Sequence, residues 1–264
     1  MRVLGAVLIG GASRRMGQDK ALVEIDGVPM ARLVADALQN GGAERVVLVG
    51  GNPAVAAALW LDAVPDGWVA IGPLGGISSA VKEGWDTVHR AEPLLPASHV
   101  AIVVAACDQP ALGASLIASL VGALKAAPPE VVVAVPVTPD GRRQPFPAVW
   151  RATAGPMLEQ LIASGARRAD AGIGADNAVL VDARAEDLRD IDTPADLEAD
   201  GGVLRWSPVG SDVVGRAAGL PGVSASVDPA DDEAATPTAA DAAVPTPAAD
   251  VGPALVWDPQ AHEA

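Results

Sequence analysis

Apolar residues in this chain fall into short runs separated by stretches of helical spacing. Residues 3–9 form one continuous apolar run, the pattern of a strand buried on both faces. Similar runs occupy 46–49, 100–106, 131–135 and 178–181. Met30, Leu33, Val34, Ala37 and Leu38 recur at helical spacing, with Pro29 at the expected helix start and Asn40-Gly41-Gly42 at its end. Further helices are expected from Pro53 to about Leu61 and over 77–89, 114–126, 153–163 and 193–200. Residues 21–25 and 145–150 read as extended, and Asp26-Gly27, Val64-Pro65-Asp66-Gly67 and Thr138-Pro139-Asp140-Gly141 as turns. Strands alternating with helices predict an α/β fold: an open, mainly parallel sheet with helices on both faces.

Ligands on such sheets bind beyond the carboxyl ends of the strands. The loops 10–20, 50–53 and 107–110 each follow a strand and are expected to converge on one edge. The alternation ends near residue 200. Residues 221–256 are mainly Ala, Pro, Asp, Thr and Val with little periodicity. Such a composition buries too little apolar surface to offset its ordering entropy. The expected division is therefore a folded domain over 1–200 and a low-complexity, disordered acidic tail over 201–264, with Trp206 and Trp257 as apolar exceptions.

Composition narrows the chemistry. Aromatic residues are scarce, with six Trp, one Phe and no Tyr, so the core must be built from aliphatic side chains. The formal charge is −15, a poor match to nucleic acid or an anionic membrane surface, which need clustered Lys and Arg. Cys107 is the only cysteine, which excludes an internal disulfide and a cysteine-based zinc site. The histidines, His89, His99 and His262, show no metal-ligand spacing. The N-terminal apolar run leads into glycines and charge without a cleavage pattern, and no run reaches bilayer-spanning length. A cytoplasmic location is the expectation.

Three places can carry chemistry. The first is 8–20, where a buried strand ends in Gly10-Gly11 and is followed by Arg14, Arg15 and Lys20. Glycine backbone and local cations suit phosphate, although neither the P-loop spacing nor the dinucleotide fingerprint is met; a solvated surface turn has the same composition. The second is Asp108, at the end of an apolar strand, where a carboxylate is costly unless a cation meets it. Magnesium on a nucleotide's phosphates satisfies that need; capping of the following helix is the other reading. The third is Asp192. Thr193, Pro194 and Asp196 are explained as a helix start, which leaves Asp192 outside the helix to face a metal.

The residues Leu8, Gly10, Gly11, Ser13, Arg15, Met16, Gly17, Asp19 and Lys20 form a pattern that resembles the signature of the molybdenum cofactor guanylyltransferases, the MobA family of nucleotidyltransferases. The resemblance continues through Gly72-Pro73-Leu74-Gly75-Gly76, Asp108-Gln109-Pro110 and the 190–197 segment, and covers about 1–200. It implies a Rossmann-like fold of the nucleotide-diphospho-sugar transferase type. It also implies transfer of GMP from GTP to the phosphate of Mo-molybdopterin, with Mg²⁺ as cofactor. By the same resemblance Leu8, Ile9, Gly10, Gly11, Asp66 and Gly75 contact the nucleotide, Arg15 and Lys20 hold the triphosphate, and Asp108 and Asp192 hold the metal. Arg15, Lys20 and Asp108 are the catalytic set it implies. Residues 144–150 resemble the segment leading to the acceptor side, and Arg167 and Arg168 stand where relatives carry basic residues. Transient contact with molybdenum cofactor carrier proteins or molybdoenzymes follows from the same likeness.

One position departs from the family. Val49 stands where members often carry an Asn that contacts the nucleotide. Cytidylyl transfer to molybdopterin is therefore an alternative, and guanylyl transfer to a phospholactate-like acid is another that keeps the same chemistry. A non-catalytic nucleotide-binding regulatory protein is the alternative of another class.

Overall fold

The computed structural model describes residues 1–10, 19–68 and 71–199. The first apolar run forms β1 (Arg2–Leu8). A 3-10 turn over Lys20–Leu22 follows, then a small hairpin of β2 (Glu24–Ile25) and β3 (Val28–Pro29). Only part of 21–25 is thus extended, because the Asp19 side chain accepts from the Ala21 N–H and winds the chain at that point. The Asp26-Gly27 turn has φ of 51° and 82°, the left-handed pair that a two-residue hairpin favours.

Helix α1 (Met30–Asn40) leads to β4 (Val46–Val49), α2 (Pro53–Ala58) and β5 (Asp62–Val64). The sequence pattern does not reveal β5. It is three residues long, mostly exposed and paired only with β4, so it carries no apolar run. Helix α3 (Pro73–Ala91) begins four residues before the expected start at 77. Gly72, at φ 90°, turns the chain, Pro73 opens the helix, and the glycines expected in a loop lie in its first turn. Then come β6 (Val100–Ala106), α4 (Ala114–Ala126), β7 (Val133–Val137), β8 (Ala148–Arg151), α5 (Gly155–Ala163), β9 (Ala178–Asp182) and α6 (Pro194–Ala199).

The main sheet has seven strands in the order β5-β4-β1-β6-β8-β7-β9. Only β8 runs against its neighbours, so the sheet is mainly parallel, as expected. Side chains alternate along the strands and divide the core in two. Val3, Val7, Leu48, Ala101 and Val103 pack with α1, α2 and α4 on one face. Leu4, Ala6, Val47, Ile102 and Val104 pack with α3 and α5 on the other. Close packing of α3 on the sheet depends on Gly84, where a Cβ would lie 2.3 Å from Ile102 Cγ1. No helix among the described residues is long and apolar enough to cross a membrane. The expected acidic tail, including Trp206 and Trp257, lies outside the described residues.

Candidate active site at the strand-end switch point

From β1 the chain moves to β4 on one side and later returns to β6 on the other. That reversal opens a crevice beyond the carboxyl ends of β1 and β6. Leu8 is in register with Val49 of β4 and Ala106 of β6, so the three strands end level. The Ile9 N–H donates to Val49 O at 3.1 Å, and the Cys107 N–H to Leu8 O at 3.2 Å, which carries the pairing one step past the strands.

Asp108 stands just beyond β6. Its Oδ2 accepts from Lys20 Nζ at 2.9 Å, and Asp192 Oδ1 accepts from the same ammonium at 2.5 Å. One cation therefore bridges two carboxylates from distant parts of the chain. Burial, the largest single influence on Lys20, pulls its pKa down. Hydrogen bonds to Asp192 and Asp108, with their charges, outweigh it and hold the pKa above the ordinary lysine value. The ammonium is thus firmly protonated at neutral pH.

Residues 190–192 reach this point through a backbone contact and a buried side chain. The Ile191 N–H donates to Asp108 O at 2.8 Å, while the Ile191 side chain is buried with Val23 and Met30. That anchor fixes the backbone on which Asp190 and Asp192 stand. Asp192 is also fixed from behind. Asp196 Oδ2 accepts from the N–H groups of Asp192 and Thr193 at 3.1 and 2.8 Å, and Thr193 Oγ1 accepts from the Asp196 N–H at 3.3 Å. The expected capping arrangement is therefore present and reciprocal.

Two further groups here escaped the sequence reading. Burial, then the Asp108 charge, pushes the Asp190 carboxyl above its ordinary value, against a hydrogen bond from Gln109. Gln109 is buried, and its Nε2 lies 3.3 Å from Phe146 O and 3.5 Å from Leu188 O. It ties the strand end to the segments before β8 and before Asp190. The only sequence signal for this pair was their place inside quoted motifs, Asp108-Gln109-Pro110 and 190–197.

The glycines of the first two strand ends meet backbone to backbone. Gly50 and Gly51 have φ of 75° and 68°, and a Cβ on Gly50 would lie 3.4 Å from Gly10 Cα. Asp66 closes the same corner, its Cβ 3.7 Å from that position. Its Oδ1 accepts from the Trp68 N–H at 3.0 Å and from Ser79 Oγ at 2.9 Å, so the turn reading of this residue holds. Gly75 is in the first turn of α3, where a Cβ would lie 2.8 Å from Trp68 Cβ. Packing accounts for that glycine. Gly11, Arg14 and Arg15 lie outside the described residues.

The fold is an open α/β sheet with a switch point at β1, and comparison with known proteins makes the assignment specific. Residues 5–178 match the family model of the MobA-like NTP transferase domain. The chain belongs to the MobA-like NTP transferase family. A molybdenum cofactor guanylyltransferase of Rhodobacter capsulatus is 32% identical over 200 residues, 75% of this chain and 94% of that protein. Another, of Xanthomonas euvesicatoria, is 36% identical over 116 residues, 44% of this chain and 52% of that one. Among solved structures, molybdopterin-guanine dinucleotide biosynthesis protein A from Archaeoglobus fulgidus superposes with a TM-score of 0.55. It is 24% identical and covers 75% of this chain and 96% of its own.

Within the MobA-like domain, other candidate groups have structural employment. Arg167 Nη1 donates to Ile162 O and Ala166 O at the end of α5, and Arg168 pairs with Asp170 at 2.7 Å. Cys107 is buried, and burial followed by the Asp108 charge raises its thiol to about 12, so it is not a nucleophile at neutral pH. His89, near the end of α3, and His99, before β6, lie toward the opposite edge of the sheet.

Proposed function

We propose that this chain transfers GMP from GTP to the phosphate of Mo-molybdopterin and releases pyrophosphate. The observation that carries the reading is the Lys20 ammonium held between Asp108 and Asp192 at the switch point of a MobA-like sheet. The names of the relatives supply the substrates.

An oxygen of the acceptor phosphate attacks the α-phosphorus of GTP in line. A new P–O bond forms as the bond to the β-phosphate breaks, and pyrophosphate leaves. The acceptor phosphate is ionised at neutral pH, since its second pKa is about 6. No general base is required, which agrees with the inert Cys107 and the distant His89 and His99. The task is positioning and charge neutralisation. Gly10 and Gly50 let the first two strand ends pack backbone to backbone beside the site, and Lys20, with Arg15, neutralises the triphosphate.

Asp108 and Asp192 fit Mg²⁺: both offer hard carboxylate oxygens, and together they already converge on one cation. When bound there, the ion supplies further neutralisation of phosphate charge. Two protein oxygens with phosphate and water completing the shell is the usual arrangement for this metal.

A second reading is cytidylyl transfer. Val49 is buried, 1% exposed, and offers no side-chain hydrogen bond at the strand end where the resemblance leads one to expect an Asn. Incubation of the full chain with Mg²⁺, molybdopterin and each nucleoside triphosphate in turn separates the readings. Pyrophosphate release with GTP is expected; release with CTP alone transfers the assignment to cytidylyl chemistry. Binding without release in every combination leaves a regulatory nucleotide-binding protein. Asp108→Asn should lower turnover by about 10²–10³ with the fold intact, and full activity in that variant would remove Asp108 from the mechanism.

A further inference from the structure

Lys20 occupies the position in which the two carboxylates meet. Its ammonium is 2.9 Å from Asp108 and 2.5 Å from Asp192, and its side chain is only 14% exposed. An ammonium and a divalent ion cannot both sit between the same oxygens, because two positive charges would be in contact there.

We infer that Lys20 is a cationic latch on the Asp108–Asp192 pair, which a nucleoside triphosphate opens by drawing the ammonium onto its own oxygens, so that a divalent cation enters with the nucleotide and not ahead of it. The inference rests on reading Asp108 and Asp192 as the metal carboxylates. The backbone of Lys20 is held in place, with Asp19 capping the turn and the Val23 N–H donating to Lys20 O at 3.2 Å. The four-carbon stem can rotate about several bonds, so its ammonium can exchange carboxylate oxygens for phosphate oxygens while the backbone stays in place. The exchange leaves neither anion bare: the phosphates gain the ammonium as the carboxylates gain the divalent ion. By linkage, metal and triphosphate then tighten each other's binding by the same factor.

The test is Mn²⁺ binding to the full-length protein without nucleotide, measured by electron paramagnetic resonance of the free ion. Lys20→Met should bind Mn²⁺ at least about fivefold more tightly than the unsubstituted protein, the lower end of ordinary coupling between sites. Lys20→Arg, which keeps the charge, should not. An unchanged or weaker Mn²⁺ affinity in Lys20→Met overturns the latch. Lys20→Gln serves the same comparison if the Met variant fails to fold by circular dichroism. Asp108→Asn in the presence of GTP tests the underlying site. Retained Mn²⁺ affinity there would overturn the metal assignment and the latch with it. Loss of affinity in Asp108→Asn, with no tightening in Lys20→Met, would overturn the latch alone.

Discussion

The Ile191 N–H and the Asp108 carbonyl are joined at 2.8 Å, and through that bond the last described segment of the chain is fastened to the end of a central strand. Ile191 is fully buried with Val23 and Met30, and Val23 in turn bonds to the carbonyl of Lys20. One apolar side chain thus packs against the segment that carries Lys20 while its own backbone is bonded to Asp108 and adjoins Asp192.

Truncating that anchor should therefore cost activity without touching a charged group. Ile191→Ala is expected to lose about 2–4 kcal/mol of stability through the cavity it leaves. It should also lower turnover by about tenfold or more, since small displacements of positioned groups are expensive. Thermal melts beside steady-state pyrophosphate release give both numbers. Full turnover in a destabilised variant would mean that Asp192 keeps its place by other contacts.

Gly84 is a packing position with no part in the chemistry. Ala there gains about 1 kcal/mol in helix propensity, but its Cβ would press on Ile102 Cγ1 at 2.3 Å in a buried seam. Overpacking of about 1–3 kcal/mol is the larger effect. Gly84→Ala should lower the urea midpoint with turnover per folded molecule unchanged, and a raised midpoint would contradict the seam.

Arg151 is buried at the end of β8 and serves only carbonyls. Its guanidinium donates to Val131 O, Ser98 O, Leu124 O and Ala127 O. Arg151→Met strands these acceptors and should cost about 3 kcal/mol or more in chemical denaturation. Arg151→Lys should recover little of it, because an ammonium cannot reproduce the planar fork.

Glu159 on α5 offers a pH test. Burial raises its carboxyl above the usual glutamate value, against the charge of Lys82. The folded state then holds its proton longer than the unfolded state. Its stabilising contribution is present in acid and lost as pH rises through the folded value. Glu159→Gln should match the unsubstituted protein near pH 4 and melt slightly higher at pH 7. The gain should be no more than about 0.5 kcal/mol, since the group is largely solvent-screened. Equal melting temperatures at both pH values would remove the burial effect.

Much of the fold was legible because burial on both faces writes an unbroken apolar run. β1, β4 and β6 are all of this kind, and each was visible within a residue or two. β5 was not, because an edge strand of three exposed or half-exposed residues needs no apolar pattern. The start of α3 was misplaced for a different reason. Gly75 and Gly76 read as loop residues, but they are helical glycines made small by Trp68 and Leu8 pressing on them. The site was legible as separate residues. Lys20, Asp108 and Asp192 each stood out by type and by position at the end of an element.

By itself, then, the sequence determined the alternation of buried strands and helices and the strand ends where chemistry can sit, while the family came from the resemblance of its motifs. These are local patterns, set by side-chain period and by the backbone needs of glycine and proline. Only the tertiary structure decided that a single ammonium spans Asp108 and Asp192, that Ile191 is the peg holding them, and that Asp190 and Gln109 lie behind. Those facts depend on contacts between segments far apart in the chain, and such contacts are created when the strands take their order in the sheet.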